Sequence, residues 1–155
     1  MDELLAVLAR ERDALERLLF RLLETRDVLA REDERFLHYA ARDVESAADA
    51  VRELELFRAI VDPDGDGSAL RGLAAAARPP LDSIFDDLRR QLGRLAAEIG
   101  AVLETLDELA EQGRERVESS GDVDDLDREL VAAGYEAILG ASERLRLPSL
   151  VALLA

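Results

Sequence analysis

Cysteine is absent from the 155-residue chain, and so are tryptophan, lysine and asparagine. Without cysteine there is no disulfide framework, no thiolate metal site and no sulfur nucleophile. Aromatic residues make up only 4% of the chain, and with β-branched residues also thin, a sheet is excluded. All 20 Lys-or-Arg positions are arginine, which reads as coding bias of a GC-rich genome rather than arginine chemistry. Against them stand 35 acidic residues, for a net charge of −15. Such a surface has no basic patch to displace phosphate counterions, so nucleic acid is excluded as a partner. An anionic membrane surface repels it for the same reason. No apolar run approaches the roughly 20 residues needed to span a bilayer. The opening MDELLAVLARERD lacks the charged-then-apolar order of a signal peptide. A soluble, cytoplasmic protein without membrane insertion is the expectation.

What is present is helical. Hydrophobic residues reach 48% and charged residues 35%, dominated by Ala, Leu, Glu, Asp and Arg, the composition of long helices. The first segment, about 3–31, carries Leu4, Leu8, Leu15, Leu18, Leu22 and Leu29 at alternating spacings of four and three, with Glu11 and Thr25 filling the two gaps. Leu5, Leu19 and Leu23 widen this stripe to a broad buried face. Arg31-Glu32-Asp33-Glu34 interrupts it, and Asp33 is placed to cap a second helix, about 33–61. Its seam reads Leu37, Ala40, Val44, Ala47, Val51, Leu54 and Val61, broken once by Arg58. So short a break implies an antiparallel hairpin, with one continuous bent helix as the alternative.

A short helix is expected over 68–77, ended by Pro79 and Pro80. The third long helix, about 80–118, has the clearest heptad: Leu81, Phe85, Leu88, Leu92, Leu95, Ile99, Val102, Leu106 and Leu109. Gly93 and Gly100 lie on one side of it, which predicts the close approach of another backbone. At about 55 Å it outruns the first two helices, each roughly 40 Å. Residues 122–155 hold a weaker helix and an uncharged apolar tail, beyond a bundle core of residues 1–121. The fold class is all-α: an elongated antiparallel helical bundle or coiled coil, with three long helices and a weaker C-terminal one.

Candidate chemistry is sparse. VDPDGDGSAL, residues 61–70, looks like half of a calcium loop, with Asp62, Asp64, Asp66 and Gly67 in matching places. The twelfth position must be a bidentate Glu, and it is Leu73, while Arg71 adds a repelling cation. The loop therefore reads as a connector built from turn residues. His38 is the one histidine and lies off the seam, a poor basis for a metal site. Acidic side chains on the helices have arginines three or four residues away, as Asp13 has Arg17, and read as solvated ion pairs. Phosphate-binding glycine loops are missing. Nothing in the pattern points to an enzyme, a metal or a cofactor.

Two stretches carry a resemblance to a known family. RERDALERLLFRLLETRDVLA (residues 10–30) has an Arg-Glu-Arg opening and a Leu-Leu-Phe core, and ARDVESAADAVRELELFRAIV (41–61) turns from small and acidic residues to Arg-Glu-Leu-Glu-Leu-Phe-Arg. Together they resemble the FlgN family, and the likeness covers about residues 1–118. What the resemblance implies is a cytoplasmic chaperone of flagellum assembly. Such a chaperone binds the helical C-terminal part of hook-associated proteins, prevents their early assembly, and delivers them to the flagellar type III export apparatus. The alternative is a self-associating structural coiled coil, a homo-oligomer without a client. The expected client anchors are Ile138, Leu139, Leu145, Leu147, Leu150, Val151 and Leu154, because an uncharged apolar tail is out of place on so acidic a chain. The same tail could instead fold back to cap the bundle.

Overall fold

The computed structural model of the chain describes residues 2–61, 75–120 and 125–146. Four long helices are found there: α1 (Asp2–Ala30), α2 (Leu37–Val61), α3 (Leu81–Ser119) and α4 (Asp125–Arg144), with a 3-10 turn at Glu34–Phe36 leading into α2. Among the described residues there is no strand, and the fold is an all-α helical bundle. The Asp/Gly loop from Asp62, most of the short helix expected over 68–77, and the apolar tail from Leu147 lie outside the described residues; Ala75 and Ala76 are helical.

The end of α1 is written in its backbone. Glu32 adopts a φ of 56°, in the left-handed region. Its amide donates to the Leu29 carbonyl and the Asp33 amide to the Val28 carbonyl, both at 3.1 Å. This pair of bonds is a Schellman closure, which satisfies carbonyls the last helical turn would leave bare. A side chain at that place costs about 1–2 kcal/mol, and glycine usually fills it. Here the glutamate side chain reaches Arg116 on α3 at 2.9 Å. The turn sends α2 back along α1, so that Arg58 lies against Glu11 and Arg21 near Asp43. The first two helices are a hairpin, not one bent helix.

A second hairpin, α3–α4, lies beside the first. Arg12 meets Gln91 and Glu32 meets Arg116, so α1 and α3 run parallel. Leu37 sits under Gly134 and Glu45 pairs with Arg144, so α2 and α4 are also parallel. Around the bundle the order is α1, α2, α4, α3, each helix packing on two neighbours. Both hairpin turns are therefore at one end. At 1.5 Å per residue α3 is about 58 Å long and α4 only about 30 Å. Consequently α4 ends level with Glu45 and Asp107, the latter paired with Arg146. Beyond that level, among the described residues, α1, α2 and α3 continue as three.

The core follows the α1 register without a fault: Leu4, Leu8, Glu11, Leu15, Leu18, Leu22, Thr25 and Leu29 are all buried. Each fully buried leucine contributes roughly 1.5–3 kcal/mol. In α2 the buried line is Leu37, Ala41, Val44, Ala48 and Val51. The expected Ala40, Ala47 and Leu54 are only half-buried and turn toward one side of the hairpin. In α3 the line passes through Phe85, Leu88, Leu92, Ile99, Val102 and Leu106, then slips to Ala110, Gly113 and Val117 where α4 joins. Leu109, expected in the seam, is half-buried. The reason is a change of neighbour: a core position is chosen by whichever helix lies opposite, and α4 arrives only there.

The expected close approach at Gly100 is not found, since a Cβ there would meet nothing within 4 Å. Close approaches occur instead at Gly113 and Gly134. A Cβ on Gly113 would come 2.2 Å from the Tyr135 ring, and one on Gly134 2.9 Å from the Leu37 Cβ.

Candidate partner-binding groove

The C-terminal residues expected to anchor a client divide into two groups. Ile138 and Leu145 are buried in the bundle core, 3% and 2% exposed, and Leu139 is half-buried against it. Tyr135 and Ala141 complete this inner face of α4. In this conformation the side chains of Ile138 and Leu145 are part of the bundle core. Leu147, Leu150, Val151 and Leu154 lie outside the described residues.

An open surface lies elsewhere, on the outer side of the α1–α2 hairpin, mixed in character at mid-helix and mainly apolar toward the turn. Because Ala40, Ala47 and Ala50 of α2 and Ala14 of α1 are small, the crossing leaves a furrow instead of a ridge. It holds two depressions of about 260 and 290 Å³. The mid-helix depression is lined by Ala14, Arg17, Phe20, Ser46, Ala47 and Ala50. The turn-side depression is lined by Glu24, Thr25, Val28, Phe36, Tyr39 and Ala40. Arg21 and Asp43 line both and sit 3.9 Å apart, so an ion pair divides the furrow. Phe20 and Tyr39 are 58% and 65% exposed, far more than large aromatic side chains usually are.

Charge along the furrow is balanced locally. Arg21 also binds Glu24 at 3.2 Å and lies 5.7 Å from the Phe20 ring centroid, a cation–π arrangement. Asp13, expected to pair with Arg17, pairs instead with Arg12 at 3.0 Å. Arg17 is left at the mid-helix depression without an ion-pair partner among the described residues.

Two positions that interrupt the seams meet each other in the hairpin. Glu11 is 1% exposed, and its Oε1 accepts from Arg58 Nη1 at 2.5 Å. The other carboxylate oxygen, Oε2, is buried without a partner. Burial pushes the Glu11 carboxyl above its ordinary range, and Arg58 opposes that shift without cancelling it. Thr25, the other gap in the α1 register, turns its hydroxyl to the Arg21 carbonyl at 2.8 Å. It also lines a small void with Ser142, whose buried hydroxyl has no partner.

His38 is exposed, with Nε2 3.3 Å from the Leu130 carbonyl. Among the described residues no three His, Asp or Glu side chains converge to hold a metal ion, and no helix is long and apolar enough to cross a membrane. Phe20 and Tyr39 had a legible signal in the sequence. Phe20 falls outside the α1 register, while Tyr39, Asp43, Ser46, Ala50 and Phe57 recur at spacings of three, four and seven on the outer side of α2. No protein-family model matches the chain, and neither does any curated protein or solved structure.

Proposed function

We propose that the protein is a cytoplasmic export chaperone of the FlgN type. Its clients are the helical C-terminal parts of flagellar hook-associated proteins, which it keeps from assembling early and delivers to the export apparatus. The observation that carries this reading is the furrow along α1 and α2: a bundle that has filled its own core still presents exposed aromatic rings beside a trough of small residues. Amphipathic helices bind in such troughs through apolar anchors every three or four residues. The resemblance of residues 10–30 and 41–61 to the FlgN family supplies the client class; those two stretches line the mid-helix depression, while Phe36, Tyr39 and Ala40, outside them, wall much of the turn-side one.

Co-expression with the hook-associated proteins of the same organism, followed by pull-down and size exclusion, tests the reading. A stable complex with one of them is the expected result. A homo-oligomer that ignores every one of them would replace the chaperone with a self-associating scaffold.

A further inference from the structure

The geometry points to a two-anchor recognition rule for the furrow: an amphipathic partner helix with apolar residues about two turns apart and a carboxylate beside one of them, held by Arg17. This inference rests on the helix-binding reading above and specifies the chemistry of its partner. The two linings are related by a shift of seven residues, Ala14, Arg17 and Arg21 giving way to Arg21, Glu24 and Val28 on α1, which sets the depressions about 10 Å apart. On a partner helix that separation is spanned by residues about seven positions apart. Between them the Arg21–Asp43 pair, 3.9 Å across, occupies the trough. A large apolar side chain placed over that pair would strip water from both charges, so the partner's intervening residue must be small or polar.

Charge selects the remaining feature. The four charged residues that line the furrow are Arg17, Arg21, Glu24 and Asp43, and they sum to zero on a chain of net charge −15. Arg21 is already engaged by Glu24 and Asp43. The unengaged charge is therefore the cation of Arg17, beside Phe20 and the alanines of the mid-helix depression. With 35 acidic residues to 20 arginines, an arginine without an ion-pair partner among the described residues, beside Phe20 and the alanines of this mixed depression, marks where a partner's carboxylate fits. The same total charge argues against a second copy as the occupant, since two molecules each carrying −15 repel on approach.

The test uses two probes. One is the hook-associated protein retained in co-expression. The other is a pair of synthetic helical peptides, with leucines seven residues apart and either Glu or Lys beside the leucine meant for the mid-helix depression. The Glu peptide should bind the full chain about tenfold more tightly than the Lys peptide, and R17E should reverse that order. A50W, an exposed substitution that fills the mid-helix depression, should weaken both the peptide and the natural client while circular dichroism shows the fold intact. If the natural client binds but neither R17E nor A50W changes its affinity, the furrow is not its site, and the two-anchor rule falls while the chaperone reading stands. If no hook-associated protein binds yet the peptides discriminate as stated, the rule stands and the client class is wrong. Peptides that bind equally, or not at all at millimolar concentration, overturn the rule.

Discussion

Glu11 and Arg58 show how a single polar pair can be both a local cost and a local constraint. Each would be an error in an apolar seam, and each is tolerated because the other lies opposite it. Removing one partner of a buried pair strands the remaining charge, which costs about 3–5 kcal/mol. R58A is therefore expected to lower stability at pH 7 by about 3 kcal/mol, whereas E11L/R58L should return to wild-type stability or exceed it. The pH dependence follows from the raised carboxyl. The native chain holds the Glu11 proton more tightly than the unfolded chain, so the contribution of Glu11 to stability increases as pH falls through the raised native value. Without Arg58 the carboxyl rises further, and the deficit of R58A should shrink between pH 7 and pH 5. Urea melts at both pH values check this, and a deficit that stays constant would contradict the assignment.

The two kinds of glycine in α3 separate just as sharply. At Gly113 a methyl group would overlap the ring of Tyr135, which is 1% exposed and has nowhere to move. G113A should cost about 2–3 kcal/mol, as overpacked cores do. At Gly100 the space is open, so G100A should gain about 1 kcal/mol from helix propensity alone. Thermal melts of the two variants should move in opposite directions.

At the scale of elements, the α1 register could be read from the sequence down to its two polar gaps, because one unbroken period of four and three dictates one buried face. The slips in α2 and α3 could not. Ala40 and Ala41, or Ala47 and Ala48, are equivalent on any hydrophobicity scale, and only the neighbouring helix decides between them. Leu109 and Ala110 exchange roles for the same reason, since the pattern along α3 carries no mark of where α4 will dock. The furrow's hollow was hidden too: Ala41 and Ala48 pack into the core, while Ala40, Ala47 and Ala50 leave the outer side of the hairpin open. Leu145 gives a direct test of what α4 contributes. A chain truncated after Arg146 keeps this buried leucine, and one truncated after Arg144 loses it. The shorter chain should be less stable by about 2–4 kcal/mol, measured by denaturant melts of both. Equal stabilities would mean that Leu145, in the turn just after α4, holds nothing in place.

For the whole molecule, the uneven helix lengths divide the bundle. Near the hairpin turns four helices enclose Leu22, Leu29, Leu106, Tyr135 and Ile138. Past the level of Glu45 and Asp107, α1, α2 and α3 continue as three among the described residues, and the Glu11–Arg58 pair lies in that portion. Among the described residues fewer helices surround its backbone amides, so opening there should need less free energy than opening at the turn end. In deuterated buffer, amides of residues 4–15 and 52–60 should exchange well before those of 22–29 and 103–117, as peptide-resolved mass spectrometry would register. The rod would then loosen from the pole where its chain begins while the opposite pole stays closed. Any guest lying in the furrow would span that gradient, gripping firm ground at one anchor and yielding ground at the other.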